Sequence, residues 1–291
     1  MYILILLAIL PVFLILKYVN GKDFDEEPKE LRKKIFIWGC ISIVPVIIVE
    51  EILDKFFSTD NITSFSVVLL FTFLGVGLVE EVGKFYSAYH FTKDNPEFDH
   101  RYDAIVYCVY AALGFAVVEN ILYVLTGGIA TAIVRGLLSV PSHACDAIIM
   151  GYFYGLSQEE KFKGDKSKSN LYLALGILIP SIEHAIYDGA LILMENQEAV
   201  YGDSNGNLFL LVLGLVIACY IICFILIKKV SKIDTNFDKS KVINRSINVI
   251  DNTNHINNVQ GSNGDKTIRY CTNCGAPISD NYCAYCGNKK V

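Results

Sequence analysis

Charge is scarce in this sequence. Only 19% of the 291 residues are Asp, Glu, Lys or Arg, 53% are hydrophobic, and the mean hydropathy is +0.42. A soluble domain carries about a quarter charged residues, so these values exclude a soluble globular chain and predict an integral membrane protein. No basic residue precedes the apolar run Met1–Leu16, and no small-residue cleavage site follows in Tyr18-Val19-Asn20-Gly21. A secretory leader has both, so the run is read as an uncleaved first span. No repeat of hydropathy relates the two halves of the chain, which counts against a transporter built on repeats.

What is present is a succession of apolar stretches. They lie at about Ile35–Phe57, Ser64–Phe91, Asp103–Leu125, Ile129–Leu156, Asn170–Met194 and Leu208–Ile227, each near the ~20 residues that cross a bilayer. With the first span they make seven. Lys and Arg crowd alternate connections: Lys17 to Lys34, then Lys93 and Arg101, then Lys161 to Lys168, then Lys228, Lys229 and Lys232. The intervening loops hold only Lys55, none in Thr126-Gly127-Gly128, and none from Glu195 to Asn207. Cytoplasmic loops are the basic ones, so the expected topology has the N-terminus outside and the C-terminus in the cytoplasm. The expected fold class is all-α and polytopic, with about seven transmembrane helices over residues 1–229, a flexible polar linker over 230–268 and a zinc ribbon over 269–291.

The ribbon rests on Cys271-x2-Cys274 and Cys283-x2-Cys286, separated by eight residues, with Gly275 and Gly287 one past each pair. Four thiolates so spaced close a tetrahedral structural zinc site. Two disulfides are the competing reading, and a reducing cytoplasm disfavours them. A closed site has no open coordination position, so the ribbon is expected to bind a cytoplasmic partner. Only Lys266, Arg269, Lys289 and Lys290 surround it, too few basic groups to argue for nucleic acid. The remaining cysteines, Cys40, Cys108, Cys145, Cys219 and Cys223, fall in apolar segments and read as packing.

Inside the spans, ionisable residues are few and therefore informative, because each is costly at membrane depth and marks function by default. Glu80 and Glu81 precede Lys84 by four and three residues, so the lysine can neutralise either carboxylate, leaving the other free. Phe115, Glu119 and Tyr123 share a helix face, with Asn120 beside them. His143 heads a face continued by the small residues Ala147, Gly151 and Gly155, which let a neighbouring helix come close. His184 and Asp188 share a face, and a carboxylate so placed orients an imidazole. At about 1.5 Å per residue, Glu80, Glu119, His143 and His184 all fall in the central part of a hydrocarbon core about 30 Å thick. Arg135 is read as a counter-ion, and Asp146 as a ligand or a partner of His143. Glu50-Glu51 is read as a solvated helix end. Acids and imidazoles at one depth suit metal-assisted hydrolysis or a metal-free Glu/His pair that activates water. The alternative is a non-enzymatic receptor or scaffold, in which these groups only pack helices and the ribbon binds a partner.

Taken in order, Glu27-Pro28, Glu80-Glu81-x-x-Lys84, Asp103, Gly114-Phe115-x-x-x-Glu119-Asn120-x-x-Tyr123, His143 with Gly151 and Gly155, and His184-x-x-x-Asp188 resemble the PrsW family of intramembrane proteases. That family is related to the CAAX prenyl protease and bacteriocin-processing superfamily. The resemblance covers about Glu27 to Asp188. It implies a bacterial cell-membrane enzyme that hydrolyses a peptide bond, in or near the bilayer, of a membrane-anchored regulatory protein such as an anti-sigma factor. It carries catalytic expectation onto Glu80, Glu81, Glu119, His143, His184 and Asp188, with Lys84 and Asn120 in the same motifs. Glu80 or Glu81 is expected as the base on water. Glu119, His143 and His184 are expected to hold a catalytic metal, zinc among the candidates, or the developing oxyanion.

Overall fold

The computed structural model describes residues 2–23, 25–56, 62–201, 206–233, 269–270 and 277–278. The chain divides into two units, residues 1–237 and 238–291. The first is built from helices: α1 (Tyr2–Asn20), α2 (Lys29–Asp54), α3 (Phe65–Thr72), a π-turn (Phe73–Gly77) that leads into α4 (Leu78–Thr92), α5 (Arg101–Leu137), α6 (Ser139–Lys163), α7 (Lys166–Tyr201) and α8 (Gly206–Ile233). Among the described residues, five helical segments are long and apolar enough to cross a membrane. They are Lys29–Asp54, Phe65–Thr92, Arg101–Lys163, Lys166–Glu198 and Leu208–Lys232; Ile5–Asn20 is a shorter apolar helix.

Arg101–Lys163 is 63 residues long, about three times what one crossing needs, and the backbone divides it. Gly128 has φ 74° and ψ −155°, a conformation open only to glycine at low cost. Beyond it, Arg135 reaches back to Glu119 and Asn120. On a straight helix those positions would stand about 24 Å apart, so the chain doubles back at Gly127-Gly128, where the sequence places a loop. A second break falls at Leu138 (φ −114°, ψ −62°). Its cause is Pro141 in the first turn of α6, whose ring would collide with the Leu137 carbonyl if α5 continued.

α5 is the central element. Tyr102 bonds the Val19 carbonyl at 3.0 Å, Asn20 bonds Tyr110 at 2.7 Å and Asn120 bonds the Ala8 carbonyl at 3.0 Å, which fixes α1 antiparallel to it. On another side, glycines set the distance to α2: a Cβ on Gly39 would lie 2.1 Å from the Ala111 carbonyl oxygen, and one on Gly114 2.2 Å from that of Phe36. The small-residue face of α6 packs as expected, with Gly151 against Ile105 and Gly155 against Arg101. The chain enters α2 through Glu27, whose buried carboxylate accepts a hydrogen bond from the Tyr107 hydroxyl of α5.

Burial lifts the Glu27 carboxyl from 4.5 to about 7, against the lowering effect of the Tyr107 hydrogen bond. The folded protein therefore holds this proton more tightly than the unfolded chain. The stability it contributes is complete below the unfolded value and is lost as pH rises through about 7. We expect thermal stability to fall between pH 5 and pH 8, and to fall less in Glu27→Gln. Parallel pH profiles for the two proteins would refute the assignment.

In the second unit, β1 (Arg269–Tyr270) and β2 (Pro277–Ile278) pair antiparallel, Arg269 with Ile278 and Tyr270 with Pro277. Cys271, Cys274, Cys283 and Cys286 lie outside the described residues, as does the linker beyond Ile233.

Candidate active site

Helices α4 to α7 bring the ionisable residues of four separate motifs into one network. Lys84 is fully buried on α4 and donates to Glu80 Oε2 at 2.8 Å, Glu81 Oε1 at 2.8 Å and His143 Nδ1 on α6 at 3.0 Å. All three ammonium protons are thereby placed, and the face of Phe115 lies 4.7 Å from Nζ. This corrects the expectation that one carboxylate stays free: the lysine holds both. Because His143 Nδ1 accepts from Lys84, its proton sits on Nε2, which donates to Glu119 Oε2 at 2.8 Å. Arg135 closes that end, with Nη2 2.8 Å from Glu119 Oε1 and Nε donating to Asn120 Oδ1 at 3.1 Å. It is the counter-ion that its position implied. Asn120, itself buried, is anchored to the Ala8 carbonyl and so positions the arginine.

His184 on α7 forms the other end. Its Nδ1 donates to Glu81 Oε1 at 2.9 Å, and its Nε2 lies 3.1 Å from Asp188 Oδ2 and 3.7 Å from Glu80 Oε2. The two imidazoles face each other with ring centres 5.4 Å apart. Between them lies a cavity of about 20 Å³ lined by His143, His184, Glu119, Asp188, Arg135 and Tyr187. That is room for about one water molecule. Glu80 and Glu81 stand behind this wall, 5% and 0% exposed.

Asp146 approaches His184 Nδ1 at 3.8 Å and lies against Glu183; these contacts tie it to α7, whereas the sequence left it as a ligand or a partner of His143. Glu183 in turn accepts from Cys219 Sγ of α8 at 3.2 Å. From the sequence, Glu183 had no role and Cys219 only packing, although an acid beside His184 in an apolar span was a usable signal. Glu50 was missed as well. Glu51, Asp54 and Lys55 are exposed as expected of a solvated helix end, but Glu50 is half-buried and lines a cavity.

Ligand atoms of Glu80, Glu81, His143 and His184 lie within 4.8 Å of one another. Two imidazoles and two carboxylates suit a divalent transition metal, so the donor set fits an ion. Glu119 lies one step outside this group, on the far nitrogen of His143. The Lys84 ammonium sits among three of the four donors, so an ion there would have to displace it.

Helices that cross a membrane and a buried set of paired imidazoles and carboxylates beside a water-sized cavity define a membrane-embedded hydrolase. The profile of the PrsW family intramembrane metalloprotease matches residues 27–226. Protease PrsW of Geobacillus kaustophilus (strain HTA426) is 35% identical over 196 residues, covering 67% of this chain and 82% of its own. Those of Oceanobacillus iheyensis and Bacillus subtilis (strain 168) are 35% and 33% identical, over 62% and 67% of this chain and 79% and 86% of theirs. No solved structure matches. The chain belongs to the PrsW family and is an intramembrane protease.

Proposed function

We propose that the protein is an endopeptidase that hydrolyses a peptide bond, in or near the bilayer, of a membrane-anchored and regulatory protein of the anti-sigma-factor type. The observation that carries this reading is the water-sized cavity between His143 and His184, the first imidazole held between Lys84 and Glu119 and the second between Glu81 and Asp188. A water in that space attacks the carbonyl carbon while the His184 Nε2–Asp188 pair takes its proton; Glu80 and Glu81, expected from the sequence as the base, are held by Lys84 behind the wall and supply the charge behind the ring. The C–N bond breaks, and the proton passes to the leaving amine. Arg135 and the Nε2–H of His143 stabilise the developing oxyanion. A metal held by Glu80, Glu81, His143 and His184 would add Lewis-acid polarisation and a more acidic water.

The loop charges support seven crossings with the N-terminus outside and the C-terminus in the cytoplasm. The doubling back at Gly128 agrees with separate fourth and fifth crossings. We assign structural zinc to Cys271, Cys274, Cys283 and Cys286. The short β-pair supports this, since its strands bracket residues 271–276 and hence the first cysteine pair. The ribbon would bind a cytoplasmic partner.

The test uses the full chain in proteoliposomes with a membrane-anchored reporter. Glu80→Gln, Glu81→Gln and His143→Ala should each abolish cleavage, and full activity in all three sinks the site. Metal per chain, measured with Cys271, Cys274, Cys283 and Cys286 changed to Ser, decides the chemistry. Near-stoichiometric metal that vanishes with His143→Ala or His184→Ala marks a metalloprotease; an active, metal-free preparation marks the glutamate mechanism.

A further inference from the structure

A second, larger cavity lies next to the catalytic network. It measures about 250 Å³ and is walled by Glu50 and Glu51 of α2, Thr72 of α3, Gly75 and Val76 of the π-turn and Ile192 of α7. Its distance from the chemistry follows from the helices that line it. Val76 precedes Glu80 by four residues and Ile192 follows Asp188 by four, so each wall stands about 6 Å along its helix from a residue of the site. An extended peptide covers about the same distance in two residues, and residues two apart share a face.

The ionisable groups on the cavity's wall are all acidic: Glu50, Glu51 and Asp54 contribute carboxyls, and among the described residues no basic one lines it. Glu50 Oε1 is shielded from solvent and has no hydrogen-bond partner among the described residues. A buried carboxylate oxygen in that state calls for a donor. Backbone crowding does not close the space, since a Cβ on Gly75 would meet nothing within 4 Å. The π-turn that forms one wall is a deformation that recurs at functional sites.

We propose that this cavity is a substrate subsite that receives a Lys or Arg side chain two residues from the cleaved bond, with Glu50 as its specificity determinant. The inference rests on the protease reading for its placement, but its charge preference can be measured without turnover. The probes are fluorescent membrane-spanning peptides that differ only in carrying Lys, Gln or Glu at one position, scanned residue by residue. They are bound to the full-length protein in nanodiscs and separately assayed for cleavage.

At one position the wild type should bind the Lys probe roughly tenfold more tightly than the Glu probe. Glu50→Gln should erase that preference and Glu50→Lys reverse it. Where cleavage occurs, the cut should fall two residues from that position. Equal affinity for all three probes at every position overturns the subsite, as does a preference that survives Glu50→Gln. Cleavage without charge preference leaves the protease reading standing and removes the subsite, whereas a Glu50-dependent preference without any cleavage does the opposite.

Discussion

Lys84→Met should be the most damaging single substitution in the chain, destabilising it by about 3–5 kcal/mol, the usual cost of removing one partner from a buried ion pair. The lysine is 0% exposed and supplies the hydrogen bonds at 2.8 Å that hold Glu80 Oε2 and Glu81 Oε1. Without it, two adjacent carboxylates remain in the core of four helices, with the His184 Nδ1–H, 2.9 Å from Glu81 Oε1, as the nearest remaining donor among the described residues. The same change releases His143 Nδ1, whose tautomer the ammonium fixes. Because the damage arises from uncompensated charge, adding Glu80→Gln and Glu81→Gln to Lys84→Met should recover much of the stability but none of the activity. Thermal unfolding in detergent, read together with the yield of monodisperse protein, checks both parts. A Lys84→Met protein that melts with the wild type would show that the two glutamates do not depend on the lysine.

The sequence revealed which residues mattered more readily than how they pair. Glu80, Glu81, Glu119, His143, His184 and Asp188 were legible because a charged group in an apolar span is costly and therefore rare. Their common depth followed from helix rise alone, and the structure joins all six through Lys84. Pairing depends on how helices rotate and cross, which spacing along one helix does not encode. That is why Lys84 was expected to hold one carboxylate and holds two, and why Asp146 meets His184. The reversal at Gly127-Gly128 was readable from its glycines, whereas the break at Leu138 has its signal three residues later, in Pro141. Glu50 was misread for another reason. Its neighbours Glu51, Asp54 and Lys55 are those of a solvated helix end, and only the packing of α2 beside the π-turn shields one of its carboxylate oxygens.

Asp188→Asn should leave the fold intact and cut the cleavage rate by about 10²–10⁴-fold, the range over which a positioned proton-transfer group contributes. His184 Nδ1 faces Glu81 Oε1 at 2.9 Å. An ionised carboxylate only accepts hydrogen bonds, so that nitrogen keeps its proton. Nε2 lines the small cavity and lies 3.1 Å from Asp188 Oδ2, so a proton exchanged with water there is shared between that nitrogen and that carboxylate. An asparagine can turn its amide N–H onto Nε2 and occupy the lone pair, the tautomer conflict that disables other imidazole–carboxylate pairs. The Asp188 side chain is 28% exposed, so losing its charge costs the fold far less than losing Lys84. A structural role would lower melting temperature and activity together. A positioning role predicts unchanged melting, unchanged substrate affinity and a fall in kcat alone. Asp188→Glu, which retains the acceptor, should restore part of the rate. Wild-type turnover by Asp188→Asn would place His184 outside the proton path; both nitrogens of His143 are engaged by Lys84 and Glu119, so the Glu119 carboxylate on the cavity would then be the group that takes the proton from water.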